Sequence, residues 1–168
     1  FRHVVTGIQI TGIDKDDKEA LIAELPDGVT TVIHRGVNSL IACVGKGKCK
    51  NGQMETAELA DYIERKHYGR KTSHKCKIGI SGCGRNCPDS MVKDIAFIGT
   101  SQGFMLAVGG NTGMRPEAGK ILMRKLSVEQ AKKAADILID WYAENGEPKE
   151  RMGKLLERLG NPLENKTL

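Results

Sequence analysis

Cys43-Val-Gly-Lys-Gly-Lys-Cys49 and, after a polar helical interval, Cys76-Lys-Ile-Gly-Ile-Ser-Gly-Cys83-Gly-Arg-Asn-Cys87 form the stretch on which the reading of this chain turns. Four of the five cysteines fall into two pairs, Cys43 and Cys49 spaced C-x5-C, and Cys83 and Cys87 spaced C-x3-C. Thiolates are soft ligands, and a group of them in a reducing setting suits an Fe–S cluster, zinc or Cu(I). Structural zinc draws its cysteines from tight knuckles with about two to four intervening residues. The first pair is wider than that. Fe–S clusters accept varied spacings, because each corner of the cluster points its own way. The competing reading is small buried hydrophobes or two disulfides. Against it, both pairs sit in glycine- and lysine-rich loops rather than apolar runs.

Composition narrows the setting. At 168 residues the chain has enough length for one real core but not for two independent ones. Hydrophobic content of 39% and charged content of 28% are ordinary for a globular protein. No run approaches the roughly 20 apolar residues of a membrane span, and no signal-peptide pattern opens the chain. Cysteines without a secretory context read as metal ligands, which points to a reducing, cytoplasmic location. The net charge of +5 allows nucleic acid, an acidic surface or small anions as partners, but aromatic content of 4% leaves few platforms for base stacking. Neither nucleic acid nor membrane is therefore expected as a partner.

Along the chain, Val4 to Ile10 reads as a strand. Asp14 is the expected N-cap of a helix with Ala20, Leu21, Ile22 and Leu25 on one face, broken by Pro26-Asp-Gly28. Val29 to His34 and Asn38 to Ala42 read as further strands, so the opening resembles part of a ferredoxin-like unit. There is no initiator Met and Phe1 opens close to a strand, so preceding residues are expected. Gln53 to His67 has helical periodicity, ended by Gly69. Cys76 to Ile80 is a short β-rich run, and Pro88 suits the first turn of a helix reaching Met91. Asp94–Gly99 and Phe104–Val108 predict a hairpin. Ser127 and Gln130 make a capping box for a helix running to about Glu144, and a last helix begins at Glu147-Pro148 and ends at Gly160. The fold class expected is α+β, a mixed or antiparallel sheet with flanking helices.

The two cysteine spacings together resemble the signature of the sirohaem-[4Fe–4S] sulfite and nitrite reductases. Ile8-Gln-Ile-Thr-Gly-Ile13 is similar to that family's IQLxGI strand, and Ser39-Leu-Ile-Ala-Cys43 to its lead-in to the first pair. His74-Lys-Cys-Lys-Ile78 resembles its HKFKI, and Val108-Gly-Gly-Asn-Thr-Gly113 its VGGxxG loop. The resemblance implies a sulfite/nitrite reductase repeat, with residues 1–42 as a partial ferredoxin-like, substrate-side portion and 43–168 as the cluster- and sirohaem-binding portion, packed as one compact unit. It makes Cys43, Cys49, Cys83 and Cys87 the ligands of a [4Fe–4S] cluster, with Cys87 bridging to the sirohaem iron.

The same resemblance gives Lys75 and Lys77, which share a strand face, the roles of binding the substrate anion and feeding protons. Arg85, Asn86, Asn111 and Arg115 become contacts for the macrocycle's carboxylates, and Gly109, Gly110 and Gly113 let the backbone run close to the ring edge. A plain turn explains those glycines equally well. Cys76 stands where the family has an apolar residue and reads as a small buried hydrophobe. The implied activity is six-electron reduction of sulfite to sulfide or nitrite to ammonia, fed by a ferredoxin or a reductase subunit.

One departure counts against a full match. The family's T-x-R-Q arginine has no counterpart in Val4-Val5-Thr6-Gly7, with only Arg2 and Arg35 nearby. Larger members also hold two copies of the repeat, so a homo-oligomer or a second subunit is implied. The alternatives are a [4Fe–4S] electron-transfer or assembly subunit without sirohaem, and a zinc-binding interaction module.

Overall fold

The computed structural model describes residues 2–4, 7–9, 14, 16–26, 36–164, 166 and 168. The chain divides into two compact units, Phe1–Val32 and Ile33–Leu168. In the first, the strand expected over Val4 to Ile10 is instead an antiparallel pair, β1 (Arg2–Val4) and β2 (Gly7–Gln9), with Val4 opposite Gly7. A glycine inside a strand-like run is where such a run breaks. Helix α1 (Lys18–Ala23) follows, with Asp17 rather than Asp14 at its N-cap. The strand expected at Val29 to His34 lies outside the described residues.

The second unit is a five-stranded mixed sheet in the order β3-β4-β5-β6-β7. Strands β3 (Gly36–Ala42), β4 (Lys75–Ser81) and β5 (Ile95–Thr100) run parallel, whereas β6 (Gly103–Val108) and β7 (Lys120–Leu126) complete an antiparallel meander. The parallel strands need crossovers. Helix α2 (Ala57–His67) connects β3 to β4, and a segment holding a 3-10 helix (Ser90–Val92) connects β4 to β5. Strand β7 escaped the sequence reading. It is an edge strand whose residues are mostly exposed, so lysines and an arginine blur its alternation.

Strand alternation assigns the two faces of β4. Cys76, Ile78 and Ile80 are fully buried in the core with Ile95, Phe97, Phe104 and Leu106. Phe97 and Phe104 meet edge to face at 6.2 Å. Against this layer pack Leu59 and Ile63 of α2, and Ala135, Leu138 and Tyr142 of α3 (Val128–Asn145). Helix α3 opens with the expected capping box between Ser127 and Gln130. Lys75, Lys77, Gly79 and Ser81 point to the opposite face. There Gly79 lies so close to Ser90 that a Cβ would come within 2.6 Å of its Cα, and Ser81 Oγ is 2.9 Å from Ser90 Oγ. The segment after the second cysteine pair therefore packs against Gly79 and Ser81, toward the carboxyl end of this face.

Helical segments after the second cysteine pair also differ from their sequence expectation. Asp89 stands in the left-handed region (φ 51°), so Pro88 cannot lead into a regular helix, and only the 3-10 turn forms. Helix α4 (Met152–Leu159) begins later than Glu147-Pro148. Lys149 is left-handed (φ 69°), and Glu147 donates its amide to Glu150 Oε2 in a separate turn.

Candidate metal and anion site

The two cysteine loops start side by side because of strand topology. Cys43 follows β3 and Cys83 follows β4 by two residues, and these are parallel neighbours with Ala42 opposite Ile80. Both loops thus leave the carboxyl edge of the sheet side by side, where open α/β sheets place their ligands. The Cys43 amide still donates to the Ile80 carbonyl at 3.0 Å.

Beyond the strands, main chain holds the loops together. The Gly82 N–H donates to Cys43 Sγ at 3.0 Å. The Gly82 carbonyl accepts from the amides of Gln53 at 2.8 Å and Met54 at 2.9 Å. Within the first loop the Cys49 amide donates to the Gly45 carbonyl and the Gly52 amide to the Cys49 carbonyl. Gly82 must be glycine: a Cβ there would lie 2.7 Å from the Gly45 Cα and 3.0 Å from the Met54 carbonyl. Gly45 itself is left-handed, with φ 65°.

This clamp also explains why α2 begins at Ala57 and not at Gln53. Residues 53 and 54 are spent on Gly82, and Thr56 Oγ1 donates to the Cys43 carbonyl at 2.5 Å. Glu55 Oε1 accepts the Thr56 and Ala57 amides in its place. A feature that looks like a helix start in sequence is the lock of the cysteine loops.

In the second loop the Asn86 amide donates to the Cys83 carbonyl at 3.2 Å, Asn86 takes the left-handed region (φ 54°), and Ser81 Oγ lies 3.3 Å from its Oδ1. Cys43, Cys49 and Cys83 are half-buried and Cys87 is exposed; all are free thiols. A hollow of about 390 Å³ opens between Lys50–Gln53 and Cys83–Arg85. The larger hollow, about 480 Å³, is a groove along α2 lined by Glu58, Asp61, Tyr62, Arg65 and Lys66, and it has no thiol in its wall.

Among the described residues, no three His, Cys, Asp or Glu side chains converge as ligands of a metal ion. A tetrahedral zinc would require its sulfurs about 4 Å apart, given Zn–S bonds near 2.3 Å. A cubane binds each thiolate at a separate iron, which spreads the ligands over two loops. The donor set present, soft thiols with a main-chain N–H aimed at one sulfur, is the kind that Fe–S clusters use. Cys76 is different. It is fully buried, and burial pushes its thiol well above the usual range, so it is a core side chain.

Lys75 and Lys77 share one face of β4 and are half-buried. Burial lowers the Lys77 ammonium below its usual range, and the charges of Lys75, Lys93 and Arg151 push it further the same way. The Lys77 amide donates to Asp94 Oδ2 at 2.9 Å. Arg151 grips the other oxygen of that carboxylate, from Nε at 3.0 Å and Nη2 at 2.7 Å, and its Nη1 reaches Asn111 Oδ1 at 3.5 Å. Asn111 is thereby drawn toward the lysine face, in a loop closed by its backbone exchange with Glu117.

Arg85 and Arg115 are exposed. Gly109 (φ 90°) lies against Gly153, where a Cβ would come 2.8 Å from the Gly153 Cα, and Gly110 lies against the carbonyls of Met91 and Lys93. Those close approaches are to the protein's own backbone. Sequence reasoning missed Lys93, Asp94 and Arg151. The only hint was an arginine standing just before the last amphipathic run.

A mixed sheet whose parallel strands carry two cysteine loops at their carboxyl edge is a scaffold suited to holding an Fe–S cluster. The chain belongs to the family of the nitrite and sulphite reductase 4Fe-4S domain, whose model matches residues 34–162. It is 31% identical over 153 residues to the assimilatory-type sulfite reductase of Nitratidesulfovibrio vulgaris (strain Hildenborough), covering 91% of this chain and 70% of that protein. It is also 31% identical over 153 residues to the NAD(P)H nitrite reductase of Bacillus subtilis (strain 168), where it spans only 19% of the relative. The fold is shared with the dissimilatory sulfite reductase I structure DsrI, at a TM-score of 0.75 and 13% identity over 91% of this chain and 58% of that one. It is shared too with Mycobacterium tuberculosis NirA, at a TM-score of 0.66 and 18% identity over 76% of this chain and 25% of that one. Among the described residues, no helix is long and apolar enough to cross a membrane.

Proposed function

We propose that this chain is the cluster- and sirohaem-binding part of a sulfite or nitrite reductase. The observation that carries the reading is the main-chain lock between the cysteine loops, with the Gly82 N–H on Cys43 Sγ at 3.0 Å, at the carboxyl end of the strand β4 whose opening residues include Lys75 and Lys77. Cys43, Cys49, Cys83 and Cys87 would hold a [4Fe–4S] cluster, and Cys87, the most exposed of them, would be the thiolate shared with sirohaem. Arg85, Asn86, Asn111 and Arg115 supply guanidinium and amide groups suited to the macrocycle's carboxylates. Bound together, the cofactors would pass on electrons from an external donor, six for each sulfite or nitrite reduced.

The chain's own residues supply the rest. Lys75 and Lys77 place positive charge where an anion must approach, and an ammonium lowered by burial and like charges gives up its proton more readily than an ordinary lysine. Lys46, Lys48, Lys50 and Arg85 are exposed around the cysteine loops and would steer an acidic electron donor toward them. A second subunit or a second copy would complete the cavity.

An anaerobic absorption spectrum with iron and acid-labile sulfide counts tests the reading. The expected result is about five irons for every four acid-labile sulfides, four in the cluster and one in the macrocycle, with strong isobacteriochlorin bands. A broad shoulder near 400 nm without those bands would make the chain an electron-transfer subunit, and zinc without sulfide would defeat both. Cys87→Ser should disturb the cluster and haem bands together. Lys77→Ala should lower turnover by about a hundredfold or more and leave the spectrum intact.

A further inference from the structure

The lysine face carries a buried ion pair that no binding role uses. Asp94 is fully buried at the start of β5 and accepts three hydrogen bonds, one from the Lys77 amide and two from Arg151. The Asp94 carbonyl accepts the Gly109 amide at 2.8 Å, so the same residue ties down the loop that leads to Asn111. Arg151 is the residue before α4, and its guanidinium spans from Asp94 to Asn111. We propose that the Asp94–Arg151 ion pair is the positioning device of the substrate-side strand, fixing the backbone at Lys77 and setting the charge that Lys77 faces. This rests on the reductase reading for what Lys77 does, but not for how Lys77 is held.

The physical case is one of burial and geometry. A carboxylate without water must be paired, and removing one partner of such a pair leaves an uncompensated buried charge. The planar fork of arginine grips one oxygen through two N–H groups and leaves the other oxygen free to accept the strand amide. Parallel pairing of β4 with β5 begins at Ile78 opposite Ile95, so the ladder has ended at Lys77, and the Asp94 side chain takes over as its acceptor. Without it the end of β4 that carries both lysines would be held on the β3 side alone, where Gly36, Val37 and Ser39 stand opposite Lys75, Cys76 and Lys77. The charges facing Lys77 are Lys75 on its own strand, Lys93 and Asp94 from the connection into β5, and Arg151 from the start of α4. Burial and the three cations hold its ammonium below the usual range, while Asp94 alone opposes them.

Opposite charges give the test a signature. The titration of Lys77 is read by NMR of the purified chain after isotopic methylation of its lysines, with Lys77→Arg assigning the signal. Arg151→Gln removes a cation and should move the Lys77 titration up. Asp94→Asn removes the opposing anion found among the described residues and should move it down. Arg151→Lys keeps the charge and should hold the wild-type value. Simple loosening would instead admit water and send every variant up toward an ordinary lysine. Two variants moving up together, or none moving, overturns the proposal. If Arg151→Gln does not fold, the other two decide: Arg151→Lys at the wild-type value with Asp94→Asn below it supports the device, and Asp94→Asn at or above wild type defeats it. Failure of the reductase reading would appear separately, as an absorption spectrum without cluster or haem.

Discussion

The parallel half of the sheet and its antiparallel half do different work. Strands β3, β4 and β5 are joined by long crossovers, and the cysteine loops and the lysine face all belong to that half. From β5 to β7 the chain turns back on itself, and the strands contribute core residues such as Phe104 and Leu106. Parallel neighbours end on the same edge, so two loops distant in sequence emerge together. Antiparallel neighbours send their loops to opposite edges, which suits packing more than assembly of a site. The difference teaches that strand direction brings the two cysteine loops to one edge before any side chain acts.

Substitutions can break or sharpen that contrast. Leu106→Ala, in the fully buried core of the antiparallel half, should cost about 2–5 kcal/mol of stability. Denaturant unfolding would measure it, and the iron bound per folded chain should stay unchanged. Gly82→Ala should cost less, about 1–3 kcal/mol from forced overlap with Gly45 and Met54, yet lose iron and sulfide. If Gly82→Ala kept its full iron content, the lock between the loops would not matter to the site.

The smallest effect concerns α2, the crossover of the parallel half. Burial pushes the Asp136 carboxyl up, but donors from Lys66, His67 and Tyr62 outweigh it and hold the group below its usual value of 3.8. A carboxylate held low in the folded state stabilises the fold above its unfolded value and loses that contribution as pH falls through the folded one. Melting temperatures taken downward from about pH 5 should therefore drop more steeply in the wild type than in Asp136→Asn. Parallel slopes would mean that the α2–α3 clamp contributes nothing in acid.

What the sequence made legible was local. Ser127 and Gln130 stand three positions apart and form their capping box as read. Cysteine spacing pointed to a candidate site for the same reason, since each pair is short and lies within one loop. Long-range partners left no such trace. Asp94 and Arg151 are separated by 57 positions, and neither residue type announces a partner that far away. Gln53 and Met54 looked helical because their periodicity is helical, but Gly82 claims their amides, and a tertiary bond overrode propensity. Strand β7 was lost because an edge strand has one solvent-facing side and little alternation to display.

The seat around Gly82 is made almost wholly of peptide groups, and peptide groups are in place as soon as the sheet is. In zinc fingers, by contrast, metal binding and folding are one event. Here iron and sulfide would be delivered to a chain already in shape, and stripping them with a chelator should leave far-ultraviolet dichroism unchanged while the visible colour fades. Collapse of the dichroism together with the colour would show that the metal builds its own seat.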